Sequence, residues 1–341
     1  MRKYKIIHFA FILVLILFLS NCAPRMITYE TFRPPKYDVI KVKTLGVLDL
    51  APYQDQADSG KIIANAIVSK LFPTGFYKLV ERSQLERIIR ENQFNLSGYV
   101  DEKTASEIGK LIGADAVVVG EVTAFNFDDR VETRHETIRV DTGHVRTEYN
   151  KHNHKYEKVP VYRDEIVPYK FYTRQGSVAA NFRMIRVETG AVLASFTKHF
   201  DYSNESRDLG TLPSMDTLYN MGVDKITSEF AQEIAPYRVD VSRPILRAKT
   251  TQAKSAYKLA RGGLWKEALE NWLSATQIRP ADAKLFHNIG VSYEVLGDLE
   301  RAEENYSKAL SLDPQNYIYI NDVKHIRNQI VEQGKLKKIG L

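Results

Sequence analysis

KTLGVLDL (Lys43–Leu50) and AVVVGEVTAF (Ala116–Phe125) bracket the stretch that decides the fold. Both are short runs rich in Val and Leu, of strand length. Between them Ile63, Ala66, Ile67 and Leu71 recur on one face of a helix over Ala57–Leu71. FYKLVE (Phe76–Glu81) reads as a further strand. Ser83 with Glu86 has the spacing of a capping box, so a helix is predicted to start there and to carry Leu85, Ile88 and Ile89. Asp101 is predicted to cap a third helix that ends at Gly113. Strands alternating with helices predict an α/β unit, a mixed sheet with packed helices.

The same residues carry a family resemblance. LGVLDL (Leu45–Leu50), FYKLVERSQLERIIREN (Phe76–Asn92), LSGYVDEKTASEIGKLIGADAVVVGEV (Leu96–Val122) and VAANFRMIRVETGAVLASF (Val178–Phe196) resemble the curli assembly/transport (CsgG-like) lipoproteins. The resemblance covers about half of the chain and implies a periplasmic domain of that fold. The wider set of such domains includes secretion pores and activators of cell-wall synthases. Glu81 and Arg82 belong to the family pattern and are read as fold-holding ion pairing or capping.

Composition narrows the function classes. The chain has 341 residues, 44% of them hydrophobic, enough for about two domains and a leader. Its formal charge is +6, and half of that lies in Arg2, Lys3 and Lys5. No basic stripe interleaved with aromatics appears, so nucleic acid is not an expected partner. Residues 1–21 read as a signal peptide: a positive start, an apolar Ile6–Leu19, then Leu19–Ser20–Asn21–Cys22. That ending matches a lipobox, so Cys22 is the expected lipidation site. As the only cysteine, Cys22 then leaves no thiol for disulfide, metal or nucleophilic chemistry. Ala23 after the cysteine favours the outer membrane. Residues 22–42, with Pro24, Pro34 and Pro35, read as a tether.

The family domain is placed at 43–236, with a polar insertion at about 126–176 that holds four of the eight histidines. Val178–Phe200 resumes as a hairpin turning at Glu188–Gly190, and a helix over Met215–Ala235 stops at Pro236. The resemblance implies that the curli pore's membrane-crossing hairpins fall at this insertion and at Asp201–Pro213, which here is too short for two spanning strands and is polar. Here both faces of Val131–Thr142 carry charge, and Arg163 and Glu165 break the stripe through Val159–Thr173. A basic side chain turned to lipid costs about 2–4 kcal/mol. A soluble hairpin or loop arm is therefore expected, without the barrel. His144, His152 and His154 lack partners at metal-binding spacing. No nucleophile elbow, Walker loop or dinucleotide fingerprint is present. Neither catalytic residues nor a cofactor are expected.

After a linker at 237–248 the pattern changes. Gly263, Ala268, Trp272, Ala275 and Pro280 recur 34 residues later as Gly297, Ala302, Tyr306, Ala309 and Pro314. This is the tetratricopeptide pattern, predicting an all-α domain over 249–334. Its repeats lie at about 249–282 and 283–316, with a capping helix at about 317–333. By repeat position Thr250, Ala253, Tyr257, Lys284, His287, Val291 and Glu294 should face a partner-binding groove, continued by Asn321 and His325. The expected protein is a non-enzymatic outer-membrane lipoprotein in the periplasm, a scaffold or secretion-accessory component that binds a protein partner through its repeats. A channel ring of several copies and a cell-wall synthase activator are the alternatives.

Overall fold

A computed structural model of the chain describes residues 25–39, 41–92, 94, 100–152 and 154–340. The expected signal peptide and the expected lipidation site Cys22 lie outside them. The chain divides into two compact units, Lys36–Ala235 and a second that joins the N-terminal stretch up to Pro35 with Pro236–Leu341. Strand β1 (Arg25–Arg33) belongs to the second.

The first unit is a five-stranded sheet with helices on both faces. Its strands are β2 (Thr44–Val47), β3 (Lys78–Leu79), β4 (Ala116–Asn150), β5 (Lys155–Arg186) and β6 (Val192–Ser206). The order is β3-β2-β4-β5-β6; β2 runs parallel to both neighbours, and the β4–β5 and β5–β6 pairs are antiparallel. Helix α1 (Ser59–Leu71) follows β2, and α2 (Arg82–Glu91) and α3 (Glu102–Leu111) follow β3. Helix α4 (Met215–Ile234) closes the unit. Alternation along β4 sends Ala116 and Val118 into one core with Ile63, Ile67, Ile226 and Phe230. Val117 and Val119 enter the other, with Leu85, Ile108 and Ile112. The central strands are thus apolar on both sides because both sides are covered.

Local chemistry sets the helix ends. Asp101 accepts from the Thr104 amide at 2.7 Å, and Gly113 takes φ 65° just past α3. The expected capping box does not form: α2 starts at Arg82, with no side-chain bond at its cap. Arg82 is drawn instead to Asp49 and, at 3.3 Å, to the Val47 carbonyl, while Glu86 turns to Lys61.

The polar insertion is a continuation of β4 and β5. The two strands stay paired out to Asn150 and Lys155, and β6 accompanies them only as far as Ser206, opposite Tyr172. Beyond that point the arm is a two-stranded ribbon with charge on both faces. At its base Arg134 pairs with Glu132 and Glu205 and lies 4.6 Å from the Phe171 ring. Arg207 pairs with Glu136 and lies 4.3 Å from Tyr169.

The second unit corrects two sequence readings. The expected tether contains β1, and the expected linker is strand β7 (Tyr237–Ile245); the two pair antiparallel over their whole length. Their alternating Ile27, Tyr29, Val239 and Val241 make a ribbon rather than a spacer. Five helices follow: α5 (Thr251–Arg261), α6 (Trp265–Ile278), α7 (Ala283–Leu296), α8 (Leu299–Leu312) and α9 (Tyr317–Lys338). The repeat signature packs as its spacing predicts. Trp272, Ala268 and Ala275 are buried in the first helix pair, and Tyr306, Ala302 and Ala309 in the second. A Cβ on Gly290 would stand 2.6 Å from the Tyr306 ring, so the close helix approach requires glycine.

Candidate partner-binding face of the repeat unit

Helix α7 carries His287, Asn288, Val291 and Glu294 along one face. The ribbon lies across that face. Asn288 accepts from the Leu246 amide at 2.9 Å and donates to the Leu246 carbonyl at 2.7 Å, satisfying an extended backbone on both its groups. His287 Nε2 donates to the Pro244 carbonyl at 2.8 Å, since a carbonyl only accepts. The repeat therefore grips its own chain as a peptide-binding groove grips an extended ligand.

A buried charge cluster lies beneath the ribbon. Arg243 donates to both Glu294 oxygens at 2.8 and 2.9 Å, a bidentate pair. Tyr29 from β1 and Tyr306 from α8 each donate a hydroxyl to Glu294. Asp322 on α9 sits 3.9 Å from Arg243 and 3.1 Å from His287 Nδ1. Burial pushes both tyrosines well above their ordinary value, and the neighbouring Glu294 adds to it. For Arg243 burial opposes the charge, and the bonds to Glu294 outweigh it, so the guanidinium is held more firmly charged.

The groove residues named from repeat position separate into three groups. His287, Val291 and Glu294 converge, and all are at most 2% exposed, covered by the ribbon in this structure rather than open to a partner. Thr250 caps α5 by accepting from the Ala253 amide, Ala253 is buried, and Tyr257 lies half-buried beneath Arg247. Lys284 and His325 are exposed and Asn321 is half-buried. His325 borders a polar groove of about 660 Å³ between the ribbon and α9, with Arg33, Ser242 and Gln329. Sequence reading missed Arg243, Tyr29, Asn288 and Asp322. Strand alternation in Arg25–Arg33 and Tyr237–Ile245 was the signal that could have found the first two.

Among the described residues no group of histidine, cysteine, aspartate or glutamate could hold a metal ion, and no helix is long and apolar enough to cross a membrane.

Comparison with known proteins adds two domain matches. The family model for the curli production assembly/transport component CsgG matches residues 50–219, and the tetratricopeptide model matches residues 283–316. No curated protein matches the chain. Three solved structures are similar to the chain. The PelC dodecamer from Paraburkholderia phytofirmans is 14% identical, over 60% of this chain and 96% of its own, with a TM-score of 0.27. Lipoprotein GNA1162 from Neisseria meningitidis is 14% identical, over 55% and 98%, at 0.32. The LpoB C-terminal domain from Salmonella enterica is 12% identical, over 48% and 87%, at 0.26. At such scores none of these three carries an argument about function.

Proposed function

This chain carries a domain of the curli production assembly/transport component CsgG family, joined to a tetratricopeptide unit, and from that premise we propose that it is a lipid-anchored envelope scaffold. One observation carries the reading: a family sheet and a repeat stack, both folds of recognition, stand in one chain behind the Leu19–Cys22 lipobox. Cys22 would hold the protein at the outer membrane with its domains in the periplasm. The repeat unit would recruit a protein partner, and the sheet unit would dock to other components or to its own copies. The role is non-enzymatic assembly or secretion support.

Crosslinking the protein in its native envelope, followed by mass spectrometry, tests this. The expected products join this chain to other envelope proteins, with links that include the repeat unit. Products containing only copies of this chain would overturn the scaffold reading.

A channel is the second reading, and arm length favours it. A spanning strand needs about 9–11 residues, and the paired arm is longer. Its chemistry opposes lipid contact. Glu132, Arg134 and Glu136 lie on one face, and His135, Arg139 and Asp141 on the other.

A further inference from the structure

The start of the repeat unit is basic. Between Leu246 and Lys266 stand six exposed basic residues, Arg247, Lys249, Lys254, Lys258, Arg261 and Lys266, and no acidic one. Among the described residues none of the six makes an ion pair. Lys254, Lys258 and Arg261 fall at i, i+4 and i+7 of α5, so they form one solvent-facing stripe. Ala253, Ala256 and Ala260 take the buried side. Helix α5 is the first of the stack, with no preceding repeat to cover it. By contrast α8 is mixed, with Glu300, Glu303 and Glu304 beside Arg301 and Lys308.

The ribbon places Arg25, the first described residue, near this stripe. Arg25, exposed, pairs with Ile245, two residues before Arg247. Arg247 lies 5.7 Å from the Tyr257 ring of α5. Ile27, Leu246, Tyr257 and Trp265 border one core cluster, so the ribbon end and the first helix pair pack against the same core. Cys22 precedes Arg25 by three residues, a reach of at most about 10 Å. Met26, 54% exposed, adds an apolar side chain at the same end.

We propose that α5 and the adjoining ribbon end form a basic face that seats on an anionic phospholipid leaflet. Its orientation rests on the anchored reading above, with Cys22 carrying the lipid. The chemistry is that of a second anchoring signal: a basic cluster beside an acyl chain adds electrostatic attraction to insertion. Each basic side chain near such a surface contributes roughly a fivefold gain in partition. The attraction fades beyond a screening length of about 8 Å in physiological salt.

The test uses the whole mature chain with Cys22→Ser, so that no lipid contributes. It is floated with vesicles of phosphatidylcholine alone or with vesicles rich in phosphatidylglycerol. Binding is expected only to the second, and should weaken as salt rises. Lys254→Glu, Lys258→Glu and Arg261→Glu together should lower the partition at least about a hundredfold. A second triple variant, Lys335→Glu, Lys337→Glu and Lys338→Glu, makes the same net change in the last turn of α9 and beyond the ribbon's far end. It should stay within about threefold of the parent, because the charge lies outside the screening length. Tryptophan fluorescence confirms that both variants fold.

Failure of the parent to bind phosphatidylglycerol vesicles would overturn the proposal. So would equal losses in the two triple variants, or binding to a soluble polyanion such as heparin without binding to vesicles. If the unlipidated chain binds as expected while Cys22 in the native protein proves unmodified, the basic face stands and the lipid anchor falls.

Discussion

Glu294→Gln is expected to lower the stability of the repeat unit by about 3–5 kcal/mol, because it strips the buried Arg243 of its bidentate partner and leaves only the more distant Asp322, at 3.9 Å, to offset its charge. Glu294 accepts from Arg243 and from two tyrosines, and its side chain is fully buried. Adding Arg243→Met should recover more than half of the loss, since an apolar side chain of similar length needs no counter-charge. Both tryptophans, Trp265 and Trp272, lie in this unit, so a denaturant titration followed by their fluorescence reads it selectively. A loss under 1 kcal/mol for Glu294→Gln, of the size seen for exposed pairs, would mean that the ribbon does not seal the cluster.

Alkali should act on the same lock. Burial raises Tyr29 and Tyr306 far above 10.0, and raises Tyr319 to about 12, with Asp313 adding to the last. Their folded pKa values exceed the unfolded ones, so their contribution is whole below pH 10 and is lost as pH climbs past it. There the unfolded chain releases phenolic protons that the folded chain keeps. Stability then falls by about 1.4 kcal/mol per pH unit for each such tyrosine. The fluorescence transition should therefore steepen its decline above pH 10.

Gly60→Ala is the largest single change expected in the sheet unit. A Cβ at Gly60 would stand 1.8 Å from the Leu50 carbonyl oxygen and 2.7 Å from its carbon. Overpacking typically costs about 1–3 kcal/mol when side chains can shift. Here the obstacle is the Leu50 backbone, three residues past β2, and the next residue is tied to β4 through the Ala51 amide and Gly120 carbonyl at 2.9 Å. A loss at or above about 3 kcal/mol follows, measured by circular dichroism during thermal unfolding. Gly334→Ala supplies the contrast: nothing lies within 4 Å of its Cβ, and helix propensity alone should stabilise α9 by about 0.5–1 kcal/mol. Equal effects from the two substitutions would refute the steric argument.

Where neighbours in sequence are neighbours in space, the reading from residues succeeded. The Asp101 cap, the Glu188–Gly190 turn and the 34-residue spacing of Trp272 and Tyr306 all depend on contacts within one element or one repeat. The ribbon was hidden because its partners are remote. Thr28 and Ser242 meet across 214 residues. Pro34, Pro35 and Pro244 also disguised two strands as spacers, although proline is tolerated on two-stranded edges. That hidden ribbon changes the meaning of His287, Val291 and Glu294. Their repeat positions were legible, while the segment that covers them was not. The arm followed the same logic: polarity marked an insertion, and pairing over its length is a property of two strands together.

Planar-bilayer conductance of the purified, lipidated protein tests the central claim most directly. A tethered scaffold with a charged arm should give a silent record at every protein concentration. Discrete single-channel steps, lost when the arm from Val131 to Tyr172 is replaced by a short turn, would contradict it and make that arm a barrel wall.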